Sequence, residues 1–218
     1  MEKEYWLNKW QTNDTPWHSQ EINRNLIDNI DKLELQPGNC ILVPLCGKTK
    51  DMLWLADRGY HVIGIELCPM ACTDFFKELN IEPRIANEDS FQKYQHKNIE
   101  IYCVDVFKLT EGSLPTIHAV YDNRALIALP PSMQKKYVDH LVACIGTHVK
   151  YMLLTIESSC VVTGPPFSIN RADVDSLFAE YCKIEQLNRI PCTKIPEHLI
   201  KKGYAELVES TYYISPDL

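Results

Sequence analysis

A chain of 218 residues is long enough to bury one good core and too short for two ordinary domains plus a linker, so a single domain is expected over residues 1–218. Hydrophobic residues make up 45% and charged residues 23%, the balance of a globular protein rather than a disordered or fibrous one. The net charge of −7 leaves no basic footprint for nucleic acid, and no apolar run reaches the roughly 20 residues of a membrane-crossing helix.

The first residues, MEKEYWLNKW, lack the basic start, apolar middle and small-residue cleavage site of a secretory signal, so a cytoplasmic location is expected. Nine cysteines are an odd number with no C-x-x-C pair, which argues against a zinc ribbon, a redox motif or a disulfide framework. They read as reduced, mostly buried thiols acting as small apolar groups, and no metal site is expected. A small molecule is the expected partner, with neither nucleic acid nor membrane, and nothing in the pattern demands more than a monomer.

In chain order, Tyr5 to Trp10 and Gln20 to Ile30 read as two helical pieces in front of the sheet, joined by the polar stretch QTNDTPWHS. Cys40 to Val43 is a continuous apolar run between Pro37-Gly38 and Cys46-Gly47, the pattern of a strand buried on both faces. Asp51 to Arg58 carries Met52, Leu55 and Ala56 at helical spacing and is stopped by Gly59. His61 to Leu67 is a second strand, Ala71 to Leu79 a second helix and Ile99 to Val104 a third strand. The fourth strand, Ile117 to Tyr121, leads into a helix from Ser132 to Ile145, and Tyr151 to Ile156 makes a fifth. Val174 to Tyr181 is expected to be helical, and strands near Lys183 to Ile190 and Tyr204 to Ser210 close the chain.

Strands alternating with helices at this spacing predict a doubly wound α/β domain: a mostly parallel sheet of seven strands, the last two an antiparallel hairpin. At the level of fold, that is the Rossmann-like arrangement of class I methyltransferases that bind S-adenosylmethionine.

The turn after the first strand reads LCGKT, and Gly47-Lys48-Thr49 has the ending of a phosphate-binding loop. Such a loop needs another glycine five residues earlier so that the backbone can wrap the phosphates, and that position is Leu42, inside the strand. A dinucleotide site needs G-x-G-x-x-G here, and only Gly47 is present. Nucleoside triphosphates and NAD are both disfavoured. Glu66, however, ends the second strand 19 residues after Gly47, where a carboxylate accepts hydrogen bonds from a ribose diol. Asp105 lies just past the third strand, in reach of an adenine edge. Leu45, Glu66 and Asp105 thus all stand at strand carboxyl ends, where open α/β sheets bind ligands. A solvated carboxylate at Glu66 and a helix N-cap at Asp105 are the plainer alternatives. Together with the glycine turn, the two acids favour an adenosine ligand without a diphosphate, S-adenosylmethionine.

Longer stretches are more specific. WLNKW (6–10), PWH (16–18), LVPLCGK (42–48), DMLWLADRGYHVIGIEL (51–67), FF (75–76), YDNRALIALPPSMQKKYVDHL (121–141) and GPPFSI (164–169) occur in that order. Through them the chain resembles the thiopurine S-methyltransferase family, in its compact bacterial form, over essentially its whole length. The resemblance implies methyl transfer from S-adenosylmethionine to a sulfur nucleophile. It implies cofactor contacts from the segment Trp6 to Trp17, including Trp6, Trp10 and Trp17 with Trp10 the main one, from Leu45, from Glu66, and from Asp105 and Val106, and Gly47 of the turn is a further cofactor candidate. The three tryptophans, otherwise readable as core aromatics, then look like part of a helical lid over residues 1–30.

The chain also departs from the family pattern. Asn123 occupies the place of an expected arginine and Arg124 follows one residue late, so either is a candidate for that cofactor contact. Glu157-Ser158 stands where Glu-Tyr is usual, and near the carboxyl end His198 is the nearest polar candidate for a substrate-side arginine.

A heterocyclic thiol ionises near neutral pH, so no obligatory base follows for the transfer. His18 is the best candidate for a base or a substrate hydrogen bond, with Arg124 as an orienting group for an electron-rich acceptor. Phe167 is expected to line the acceptor pocket, on a loop stiffened by Pro165 and Pro166. Two alternatives stand beside this reading: a halide or small-thiol methyltransferase, and a non-catalytic S-adenosylmethionine-binding protein, hinted at by Asn123.

Overall fold

The computed structural model describes residues 3–88, 90–160, 162–179 and 182–216. The chain divides into two compact units, residues 1–119 and 120–218.

In the first unit, α1 (Lys3–Gln11) is followed by Asn13 in the left-handed region, φ 53°. The second expected helical piece is shorter than its apolar pattern. α2 (Arg24–Asn29) starts only after Asn23, whose side chain accepts from the Asn25 amide and fixes the start as an N-cap. A turn of 3-10 helix over Ile30–Leu33 continues it. Then come β1 (Cys40–Pro44), α3 (Asp51–Asp57), β2 (His61–Glu66), α4 (Pro69–Glu78), β3 (Arg84–Asn87), β4 (Gln92–His96) and β5 (Ile99–Cys103). The strands stand in the order β3-β4-β5-β2-β1. β1 and β2 are parallel, with Cys40 opposite His61, and β2 and β5 are parallel, with Glu66 opposite Cys103. This register brings the carboxyl ends of three strands level. The continuous apolar runs are buried as read: Ile41, Leu42, Val43, Val62, Ile63, Ile65 and Ile101 are at most 1% exposed. Met52 and Leu55 of α3 and Phe75 and Phe76 of α4 bury with them, and both helices pack on β2.

The second unit opens with β6 (Ala119–Asn123) and continues with α5 (Ala125–Ala128), α6 (Pro131–Ile145), β7 (Lys150–Glu157), α7 (Arg171–Phe178), β8 (Cys182–Pro191), α8 (Glu197–Ile200) and β9 (Val208–Pro216). Its strand order is β6-β7-β9-β8, and β9 runs antiparallel to both of its neighbours, with a bulge at Gln186/Asn188. The start of α7 is held by a capping box between Asn170 and Asp173. Tyr181, the expected end of that helix, lies outside the described residues.

The doubly wound, Rossmann-like α/β class is as the alternating pattern predicts, with two corrections. The described residues form nine strands rather than seven. The added hairpin, β3 and β4, is largely polar, with Tyr94 the buried residue among RIAN and QKYQH, so it carries little apolar signal. The last strand runs over 208–216 rather than 204–210. Tyr204 and Leu207 are buried from a loop, and Tyr204 donates to the Pro166 carbonyl at 3.1 Å, so apolar residues there mimic a strand. No helix among the described residues is long and apolar enough to cross a membrane.

Candidate active site

The turn after β1 is strained in a way the sequence half announces. Leu45 takes φ 48° and Gly47 φ 53°, both left-handed. For Leu45 this is a costly conformation, held by the Cys46 amide donating to the Ile65 carbonyl at 2.9 Å. The turn brings the Gly47 amide to Oε2 of Glu66 at 2.8 Å, while Oε1 of Glu66 accepts from the Cys68 amide at 2.8 Å. Glu66 is 6% exposed. Burial raises its carboxyl, opposed by the amides of Cys68, Gly47 and Leu67. A carboxylate offers about four acceptor sites. With these amides bound, acceptor capacity remains for a hydroxyl donor.

Above this turn lies the amino-terminal segment. Trp6 and Trp10 stand one helical turn apart on α1 and share a face. Trp17 meets both edge to face, at 5.3 Å from Trp6 and 6.0 Å from Trp10. Trp10 is buried against Leu7, Cys68 and Ala71. Its ring also covers Gly47: a β-carbon there would lie 3.2 Å from Cζ2 and 3.4 Å from Cη2. The glycine is favoured by its backbone angle, and a side chain there would press on the indole.

The remaining sequence candidates of this unit fall as follows. Asp105 sits past β5 and accepts from the Phe107 amide at 3.0 Å, the N-cap of a 3-10 turn over Val106–Lys108. Val106 is buried. The ε-nitrogen of His18 lies 3.0 Å from the Gln20 amide nitrogen and 3.6 Å from Oε2 of Glu78. Burial lowers its pKa, assisted by Lys48, and its ε-nitrogen shares a hydrogen bond with Gln20. Burial likewise raises the thiols of Cys46 and Cys68, which flank the turn.

Sequence reasoning passed over Lys48 and Glu78. Lys48 is 8% exposed, and its ammonium is 2.6 Å from Oε1 of Glu78 on α4. The only signal for the pair was a lysine beside an otherwise apolar turn.

In the second unit, Asn123 ends β6 and Arg124 takes the left-handed region, φ 69°. The Arg124 guanidinium pairs with Glu209 of β9. The missed residue here is Asp122, 2% exposed, whose Oδ1 accepts from the Ala125 and Leu126 amides at 2.8 and 3.2 Å and whose Oδ2 accepts from Tyr137 at 2.8 Å. It sets the Asn123-Arg124 turn. An acid inside an apolar strand, just ahead of a helix, was the available signal. Phe167 donates its amide to the Ile127 carbonyl at 2.7 Å and lays its ring over Gly164, where a β-carbon would come within 2.6 Å of it. The GPPF loop is tied down by Tyr204 on Pro166 and Lys202 on Pro165. Glu157 accepts from Ser210 and, at 3.2 Å, from Arg189, beside a cleft of about 190 Å³. His198 lies in α8.

A lone turn glycine facing an acid at the end of the second strand lacks the G-x-G-x-x-G cradle of a dinucleotide site. The family profile described as thiopurine S-methyltransferase matches residues 1–215. Relatives named thiopurine S-methyltransferase include one from Nitrosospira multiformis, 34% identical over 98% of each chain. Another, from Pseudomonas aeruginosa, is 37% identical over 98% of this chain and 99% of its own. Among solved structures, the 1,6-didemethyltoxoflavin-N1-methyltransferase of Burkholderia thailandensis aligns with a TM-score of 0.65 at 11% identity, covering 99% of this chain and 87% of that one. The chain belongs to the thiopurine S-methyltransferase family, whose cofactor is S-adenosylmethionine. The spare acceptor capacity of the buried Glu66 carboxylate fits the sugar hydroxyls of that cofactor.

Proposed function

We propose that this enzyme methylates the sulfur of thiopurines and other aromatic or heterocyclic thiols, with selenols as chemically related acceptors. The observation that supports the reading is the cluster of Trp6, Trp10 and Trp17 over the Gly47–Glu66 turn, an apolar cover for a reaction between opposite charges. A transfer arranged this way suits an acceptor that arrives ionised, as a heterocyclic thiol does near neutral pH.

In this reading Glu66 holds the cofactor's sugar, Leu45 and Gly47 face it with backbone, and Asp105 and Val106 lie against its base. Residues 1–30 act as a lid, with Trp6, Trp10 and Trp17 excluding water from the reacting groups. The cofactor, when bound, supplies an activated methyl group on a sulfonium. Because a sulfonium and a thiolate neutralise each other as they react, water stabilises the separated charges more than the transition state, and a dry aromatic wall favours the reaction. Phe167 offers such a wall to the acceptor. Arg124, bound to Glu209, is held for a structural or orienting part, and Asn123 stays a candidate for the cofactor side.

A panel of acceptors with methyl-labelled cofactor tests the reading. Labelled thioethers are expected from a thiopurine and an aromatic thiol, with weaker transfer to iodide. Transfer to halide alone, or cofactor binding without transfer to any thiol, selenol or halide, would overturn it.

A further inference from the structure

The lysine of the G-K-T stretch has no phosphate to reach, yet it is nearly buried. Lys48 is 8% exposed, and a buried ammonium is costly unless it is paired. Its partner is Glu78, the last residue of α4, at 2.6 Å. The same ammonium lies 5.9 Å from the centroid of the Trp10 ring, within the range of a cation–π contact. The other oxygen of Glu78 stands 3.6 Å from His18, in the segment that links α1 to α2. The ion pair therefore ties two things together: the turn after β1, which carries Lys48, and the amino-terminal segment, through the indole that Lys48 faces. A second anchor lies beyond it, where the Asn23 amide donates to Asp51 at the start of α3, at 2.8 Å. Trp10, held in this way, covers Gly47, whose amide is bound to Glu66.

From this geometry we infer that Lys48 and Glu78 are positioning residues: the pair sets Trp10 over the Gly47–Glu66 turn and thereby governs affinity for S-adenosylmethionine without touching the acceptor. Neutralising either partner leaves the other charge partly buried and alone. It then turns to solvent, the ammonium leaves the indole, and α1 loosens from the turn. Glu78 keeps about a third of its side chain exposed, so the effect is that of a partly screened pair rather than a fully buried one. The inference rests on the cofactor reading, not on the identity of the acceptor.

Amide hydrogen exchange of the ligand-free protein and calorimetric titration with S-adenosylhomocysteine test it together. Glu78→Gln and Lys48→Met should each speed exchange across Tyr5–Gln11 by about tenfold and weaken the ligand by about five- to twentyfold. Lys48→Arg, which keeps the charge and its pairing, should stay within about threefold of the parent in both measurements. Exchange at Ile41–Val43 and Val62–Ile65 should not change. The inference is overturned if the two neutral variants bind like the parent, or if the β1 and β2 amides loosen along with α1, which would make the pair a plain fold contact. A missing thioether product alongside the predicted loss of affinity would count against the acceptor reading only.

Discussion

The Trp10 indole rests against the α-carbon of Gly47 so closely that the smallest side chain at position 47 would stand 3.2 Å from the ring. Gly47→Ala therefore meets two obstacles, a left-handed φ of 53° and a ring that must move by a few tenths of an ångström. The backbone part costs about 1–2 kcal/mol. In denaturant unfolding the variant should lose at least that much. Combined with Trp10→Ala it should lose less, because the ring is gone while the backbone strain stays. Equal losses in both backgrounds would show that indole and glycine do not touch.

Glu66 accepts from the amides of Gly47 and Cys68 and keeps capacity for a hydroxyl donor. Glu66→Ala should raise the dissociation constant for S-adenosylhomocysteine by about tenfold or more, since charged hydrogen bonds are worth roughly 1.5–3 kcal/mol. Glu66→Gln, which keeps the volume, should fall between parent and alanine. Calorimetry at pH 7 reads both, and an unchanged constant in the alanine variant would remove Glu66 from the cofactor site.

Burial pushes the Asp122 carboxyl up to about 6, against the donors Tyr137, Leu126 and Ala125. In the unfolded chain it titrates near its ordinary 3.8. Between those values the folded protein holds a proton that the unfolded chain releases, so this group's stabilising share is full below about pH 4 and is lost as pH rises through about 6. Asp122→Asn keeps an acceptor for the two amides and does not titrate. The unfolding free energy of the parent relative to this variant should fall by on the order of 3 kcal/mol between pH 4 and 7. A pH-independent difference would place the Asp122 carboxyl at its ordinary value.

Phe167 holds its loop through a backbone hydrogen bond to Ile127, so its ring can be removed without breaking that tie. Phe167→Ala should raise KM for an aromatic thiol by about tenfold, the scale of a lost aromatic contact, and leave cofactor affinity within about twofold. Equal catalytic efficiency with a thiopurine in parent and variant would take Phe167 off the acceptor wall.

Much of the frame was legible because it rests on burial. A strand covered on both faces, such as β1 or β2, must be an unbroken apolar run, and Ile41–Val43 and Val62–Ile65 read that way. The β3–β4 hairpin escaped because an edge that meets water needs no such run, and RIAN and QKYQH look like loop. At the site, Glu66 could be found by counting from Gly47, since strand length and turn fix its place. Lys48 and Glu78 could not: the pair is 30 residues apart, and nothing in G-K-T tells a reader that the ammonium turns inward to an acid at the end of α4. Asn123 and Arg124 show a third case. The sequence reveals a shift by one residue, but only the left-handed backbone at Arg124 and its pairing with Glu209 show where the charge goes.

Cys46 and Cys68 stand on either side of the Gly47–Glu66 contact, and burial keeps both thiols protonated. Alkylation needs the thiolate. Withholding the thiolate at both positions leaves these sulfurs slow toward alkylating reagents for as long as the fold keeps them buried.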